Sequence, residues 1–186
     1  KGLSLTAWGS YGFVDKDDTK EFDLTLAYST SGFHAGVTDY WFDRGTTFDG
    51  KPVEDAKYFK YGAHETTHVW EANIGYDFGF LALNWYTNIG GNDGVNKDGD
   101  RAYSSYFEAS APFKLAGLEW NAAVGVVPYR TSFYSEANGF AVTNVSLRAT
   151  KDIKITDKFS IPIFAQVAGN PSNEKAYFLV GFTLQP

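Results

Sequence analysis

Five consecutive residues, His64-Glu65-Thr66-Thr67-His68, match the HExxH pattern of zinc hydrolases. That chemistry needs a helix, which sets both imidazoles on one face with the glutamate beside the metal-bound water. The surroundings oppose a helix: Gly62 precedes the motif, two β-branched threonines sit inside it, and apolar alternation begins at Val69. In an extended segment the two histidines would lie more than about 10 Å apart by chain rise. The motif therefore reads as a loop end running into a strand, with no metal expected. Residues 90–101 offer oxygen ligands in Asp93, Asn96, Asp98 and Asp100, yet Arg101 fills the position where a calcium loop needs glycine. Asn92-Asp93-Gly94 and Asp98-Gly99 are the residues of tight turns, and a solvated loop is the simpler expectation. Acyl transfer would need an activated nucleophile. The chain has three histidines and no Gly-x-Ser-x-Gly elbow, and Ser104 or Ser105 with His68 and Glu71 is the one trio that neighbouring rims could assemble. The expectation is no catalytic residue, no metal and no cofactor.

Composition narrows the classes further. Aromatic residues make up 18 % of the 186, with 12 Tyr, 16 Phe and 5 Trp, while charged residues are 20 %. The mix suits strands and an interface that favours amphipathic rings. A net charge of −6 without a basic stripe argues against nucleic acid as a partner. With no cysteine there is no disulfide framework or thiol chemistry, and with no methionine Lys1 is not a translation start. No run of 18 apolar residues occurs, so a membrane would have to be crossed by strands.

The elements that must position any site alternate with period two. Ten such stretches fall at about 2–14, 21–30, 33–43, 69–78, 80–89, 103–113, 118–128, 139–150, 159–168 and 176–185. In the last, Ala176, Phe178, Val180, Phe182 and Leu184 form one face, opposite Tyr177, Leu179, Gly181, Thr183 and Gln185. The strands are longer than the usual five or six residues and suit a tilted membrane crossing. Their polar faces carry Ser, Thr, Asn, Gly and Tyr, with no lysine in a strand body. Connections alternate in length: short at Ser31-Gly32, Asp77-Phe78-Gly79, 114–117 and 151–158, and longer at 15–20, 44–68, 90–102, 129–138 and 170–175. Phe33, Trp41, Trp70, Phe78, Phe113, Trp120 and Phe159 stand near strand ends, as aromatic girdles do.

The expected fold is all-β, a single domain over 1–186: an up-and-down antiparallel transmembrane barrel of ten strands, or twelve if an N-terminal hairpin precedes this chain. Alternation turns Asp23, His34, Glu71, Glu108, Glu119 and Arg148 inward. Arg148 facing lipid would cost about 2–4 kcal/mol near the midplane, so it should face the lumen and pair with a carboxylate. Tyr86, Tyr106, Phe164 and Tyr177 are the inward rings. Asp39 falls on the lipid phase of its strand, and a nearby bulge would remedy that. The long extracellular loop 44–68 holds Pro52 to Tyr58, a candidate short helix, and Tyr58, Phe59 and Tyr61, which could touch a partner or fold as a lid over the lumen.

Val37-Thr38-Asp39-Tyr40-Trp41-Phe42, Glu21-Phe22-Asp23-Leu24-Thr25-Leu26 and His68-Val69-Trp70-Glu71 together resemble uncharacterised outer-membrane barrels of Bacteroidota-type bacteria. The resemblance spans most of the chain, implies a further N-terminal hairpin, and brings no activity with it. The last strand, Tyr177 to Leu184, is similar to the C-terminal signal read by the barrel-insertion machinery, but it ends Leu184-Gln185-Pro186 rather than on an aromatic residue. The expected role is a non-enzymatic barrel of the bacterial outer membrane, a structural or accessory subunit of an envelope complex with a polar-plugged lumen. Membrane lipids, lipopolysaccharide and other outer-membrane proteins, met through the loops, are its expected partners. The alternative is a narrow passive channel, weakly cation-selective. A lipid hydrolase stands third, and a soluble sandwich is the alternative fold.

Overall fold

A computed structural model describes residues 2–184 except Lys16, Asp49 and Ser132. Expectations that touched Lys1, Gln185 and Pro186 lie outside the described residues. The elements are β1 (Gly2–Ser10), β2 (Glu21–Thr30), β3 (Phe33–Phe42), β4 (Gly45–Thr46), β5 (Pro52–Val53), β6 (Val69–Asp77), β7 (Ala82–Gly91), β8 (Ser105–Leu115), β9 (Leu118–Val127), β10 (Ala141–Thr156), β11 (Phe159–Asn170) and β12 (Lys175–Phe182). Ten of them form one sheet in the order β1-β2-β3-β6-β7-β8-β9-β10-β11-β12, and every neighbouring pair is antiparallel. The topology is up-and-down. β1 and β12 are its edges and are not hydrogen-bonded to each other.

Turn chemistry explains one end of the sheet. Ser31 and Gly32 both take positive φ (48° and 86°), as do Ala116 and Gly117 (53° and 75°). Two consecutive left-handed residues make the two-residue hairpin whose twist matches antiparallel strands. At Gly32 a Cβ would also stand 2.4 Å from the Asp77 carbonyl oxygen, so the position excludes a side chain. All the long connections leave from the opposite end.

Several expectations are corrected. Pro52 and Val53 form β5 and pair with β4 instead of opening a helix. β10 continues to Thr156, carrying Lys151 and Lys154 within a strand and leaving Asp157-Lys158 as the turn. β1 stops at Ser10. β3 keeps an unbroken register with both neighbours through Asp39. The bulge falls instead between β6 and β7, where Trp70 and Glu71 face Gly90 and Asn88.

The distribution of polarity is inverted relative to a water-soluble sheet. The largest fully buried side chains include His68, Glu71, Asn88, Asp93, Ser104 and Ser105, and the buried apolar residues are only Val69, Ala102, Ala123 and Val127 among those described. Phe178, Val180 and Phe182 on β12 are 71 %, 69 % and 64 % exposed, and Leu3 and Leu5 on β1 are 76 % and 74 %.

Curl of the sheet is visible in a single loop. Phe133, in the loop that leaves β9, packs against Tyr40 and Phe42 on β3, four strands away from β9 in the sheet. At the other side Asn170, at the end of β11, donates to Ser135 Oγ at 3.3 Å. A flat sheet could not bring β3 and β11 within reach of one short loop, so the polar face is the inner one.

Candidate functional site at the mouth of the inner face

Register and pleat place Asp23, Tyr40, Glu71, Asn88, Tyr106, Glu108, Asn144 and Arg148 on the inner face. Glu71 is the centre of the mouth. Its Oε1 accepts from the Tyr40 hydroxyl at 3.1 Å and its Oε2 from the Tyr134 hydroxyl at 2.6 Å. Tyr134 also reaches Asn88 Oδ1 at 3.3 Å and stacks on Tyr106, ring centroids 5.6 Å apart. Burial, with the Glu71 carboxylate beside it, pushes the Tyr134 hydroxyl far above its ordinary value, so it remains a donor.

A second cluster continues from the first. The Tyr106 hydroxyl donates to Glu108 Oε2 at 2.7 Å, and Asn144 Nδ2 donates to the same oxygen at 3.3 Å. Tyr106 can lie across β9 because residue 125 is glycine, where a Cβ would meet its hydroxyl oxygen at 1.9 Å. Behind the mouth, Asp93 is buried, accepting from Asn88 Nδ2 at 2.8 Å and the Ser104 amide at 2.9 Å. Burial raises its carboxyl above the usual range, while these donors pull the other way. The 96–100 turn closes on Asn96, whose Oδ1 accepts from the Asp98 and Asp100 amides. Among the described residues no group of three or more His, Asp or Glu could hold a metal ion.

The remaining inner-face residues separate from this cluster. Glu119 pairs with Lys114 at 3.2 Å near the short-turn end, both side chains exposed. Arg148 makes no ion pair among the described residues; its guanidinium lies 3.6 Å from the Phe164 ring centroid. The expected carboxylate partner is thus replaced by an aromatic one. The neighbours across the strands, Asn121 and Gln166, are neutral, and Phe164 swings over Gly181, where no Cβ blocks it.

The 43–68 loop goes to the opposite face. Tyr58 packs edge-on against Phe22 and Trp41, and Tyr61 stacks on Trp70 at 6.2 Å, all on the outer side of β2, β3 and β6. The inner face is therefore covered by Phe133 and Tyr134 from the loop after β9, and the longest loop is an external strap. Asp39 faces outward as its phase required. His68, fully buried, meets Asp39 Oδ1 with Nδ1 at 2.6 Å and the Tyr58 carbonyl with Nε2 at 2.6 Å. The ring thus bridges the strand and the strap through both of its nitrogens. The outward Asp39 is held by this ring beneath a cover of Tyr58 and Tyr61.

The same arrangement splits the trio that a hydrolase would need. His68 stands on the outer side with Nε2 engaged, Glu71 on the inner side, and Ser105 Oγ bonds Thr87 and Tyr129. Sequence reasoning missed Phe133 and Tyr134. Two adjacent aromatic residues inside a polar loop were the available sign. Comparison with protein-family models, curated proteins and solved structures finds no match to this chain.

Proposed function

We propose that the chain is a non-enzymatic, membrane-spanning β-barrel of a bacterial outer membrane, similar to Bacteroidota-type barrels, whose mouth is plugged by residues 128–140 and which serves an envelope complex as a structural or accessory subunit. The observation that carries the reading is the inverted polarity: a ten-stranded sheet with a hydrogen-bonded polar inner face and an apolar outer face that stays exposed on β1 and β12. Each large apolar side chain moved from water to hydrocarbon contributes about 1.5–3 kcal/mol, which favours lipid contact for the whole band. Open strand edges are not tolerated in hydrocarbon, because unpaired backbone groups cost several kcal/mol each. β1 and β12 run antiparallel and are free, so β1 closes on β12 in a ten-strand barrel; a further hairpin between them would give twelve.

The absence of cysteine makes closure testable. Pairs such as Leu5→Cys with Val180→Cys, and neighbouring registers, should form a disulfide in the folded protein in detergent. Direct closure is refuted if no register links while a control pair across β11 and β12, Val167→Cys with Phe178→Cys, does. A second reading, a narrow cation-selective channel, draws on the inner-face carboxylates Asp23, Glu71, Glu108 and Glu119. Planar-bilayer recording separates the two: the plugged barrel should be silent, and the channel should give steady cation-selective steps.

A further inference from the structure

The mouth of the inner face contains a cavity of about 640 Å³ next to the plug. Its walls are rings from Tyr40, Phe42, Phe133 and Tyr134, with Glu21 and Arg44 at its border. The cations near it are already matched. Arg44 lies 3.8 Å from Asp17 and 3.6 Å from Asp43, and Lys20 lies 3.3 Å from Asp43. Glu21, Asp23 and Glu71, on the inner face of β2 and β6, have no ion pair among the described residues.

Glu71 is answered by two tyrosine hydroxyls, whereas Asp23 is answered only by the side chain of Glu21, a second carboxyl group. Asp23 is only 8 % exposed, and its Oδ1 is buried with no hydrogen-bond partner. It sits one inward position below Glu21 and directly opposite Tyr40, both of which line the cavity. Two acidic groups side by side with no cation between them repel when ionised, so a positive group entering from the cavity would be strongly favoured. A bare metal ion is a poor match, since the carboxylates are not grouped as ligands. Aromatic walls favour a cation with a carbon body, through attraction to the ring faces. The volume is that of a small-molecule site, typically about 300–1,000 Å³.

We propose that this cavity binds a small organic ammonium ion, with Glu21 and Asp23 as its counter-charge and Tyr40, Phe42 and Phe133 as its wall. The site needs only the inner-face geometry and does not depend on the membrane reading. It is tested by isothermal titration of the detergent-purified chain with choline chloride, in excess sodium chloride. Saturable binding is expected, weakened about tenfold or more in Asp23→Asn and in Glu21→Gln, and likewise in Phe133→Ala. Glu119→Gln removes the same charge at the far end and should bind as the parent does. The proposal is overturned if the parent shows no saturable binding. It is equally overturned if Glu119→Gln loses as much affinity as Asp23→Asn, or if Phe133→Ala binds unchanged.

Discussion

Two aromatic loops leave the same end of the sheet and settle on opposite faces. The loop after β9 turns inward and is held by the Tyr134 hydroxyl on Glu71. Residues 43–68 turn outward and are held by the His68 ring between Asp39 and the Tyr58 carbonyl. The inner loop meets a face rich in Glu, Asn and Tyr, where a ring with a polar tip satisfies buried acceptors. The outer loop meets Phe22, Trp41 and Trp70, where rings stack, and one bond from His68 satisfies Asp39. Ring content is shared between the loops. What decides the destination is the hydrogen-bonding inventory of the face.

The largest expected effect breaks the outer loop. Asp39→Ala leaves the fully buried His68 Nδ1 without its partner, and a buried polar group left unsatisfied costs about 1–3 kcal/mol, more where it carries charge. Protease cleavage within residues 54–62 should rise sharply, while the inner loop keeps its protection. Next, Tyr134→Phe removes a charge-assisted bond to Glu71, worth about 1.5–3 kcal/mol, and should loosen only the inner loop. The raised hydroxyl value of Tyr134 adds a pH test. A folded value above the unfolded one means the loop keeps its stability below about pH 10, the ordinary tyrosine value, and loses it as pH climbs further. Inner-loop protection should therefore be flat from neutral pH to about pH 9, and Tyr134→Phe should remove the alkaline decline contributed by this group.

A smaller effect is expected at Arg148. Its replacement by Ala loses the contact with Phe164, about 0.5–2 kcal/mol. A melting temperature that falls as far as for Asp39→Ala would instead reveal a carboxylate partner. Smallest of all is Phe59→Ala: Phe59 is 86 % exposed, and the melting temperature in detergent should stay within error of the parent.

The comparison also separates what could be read in the sequence from what could not. The strands were legible because pleating imposes period two, and Tyr177 to Leu184 shows it plainly. The turn at Ser31-Gly32 was legible from turn chemistry alone. The outward phase of Asp39 was legible too, but its remedy was not. His68 is 29 residues away, and only the folded strap brings it near, so a local bulge was expected instead. Loop direction has no period to read. Tyr58 and Tyr134 look alike in sequence, and only the faces they meet distinguish plug from strap. The partner of Arg148 failed for a similar reason, because the strands beside β10 supply Asn121, Gln166 and Phe164.

The central claim, a polar interior and a lipid-facing exterior on one sheet, is most directly tested by single cysteines placed from Tyr177 to Phe182 in this cysteine-free chain. Each would carry a fluorophore and be reconstituted in vesicles containing brominated lipid. Positions 178, 180 and 182 should be strongly quenched and positions 177, 179 and 181 weakly quenched, in strict alternation. Equal quenching along the segment, or a labelled protein that stays monodisperse in buffer without detergent, would contradict the account.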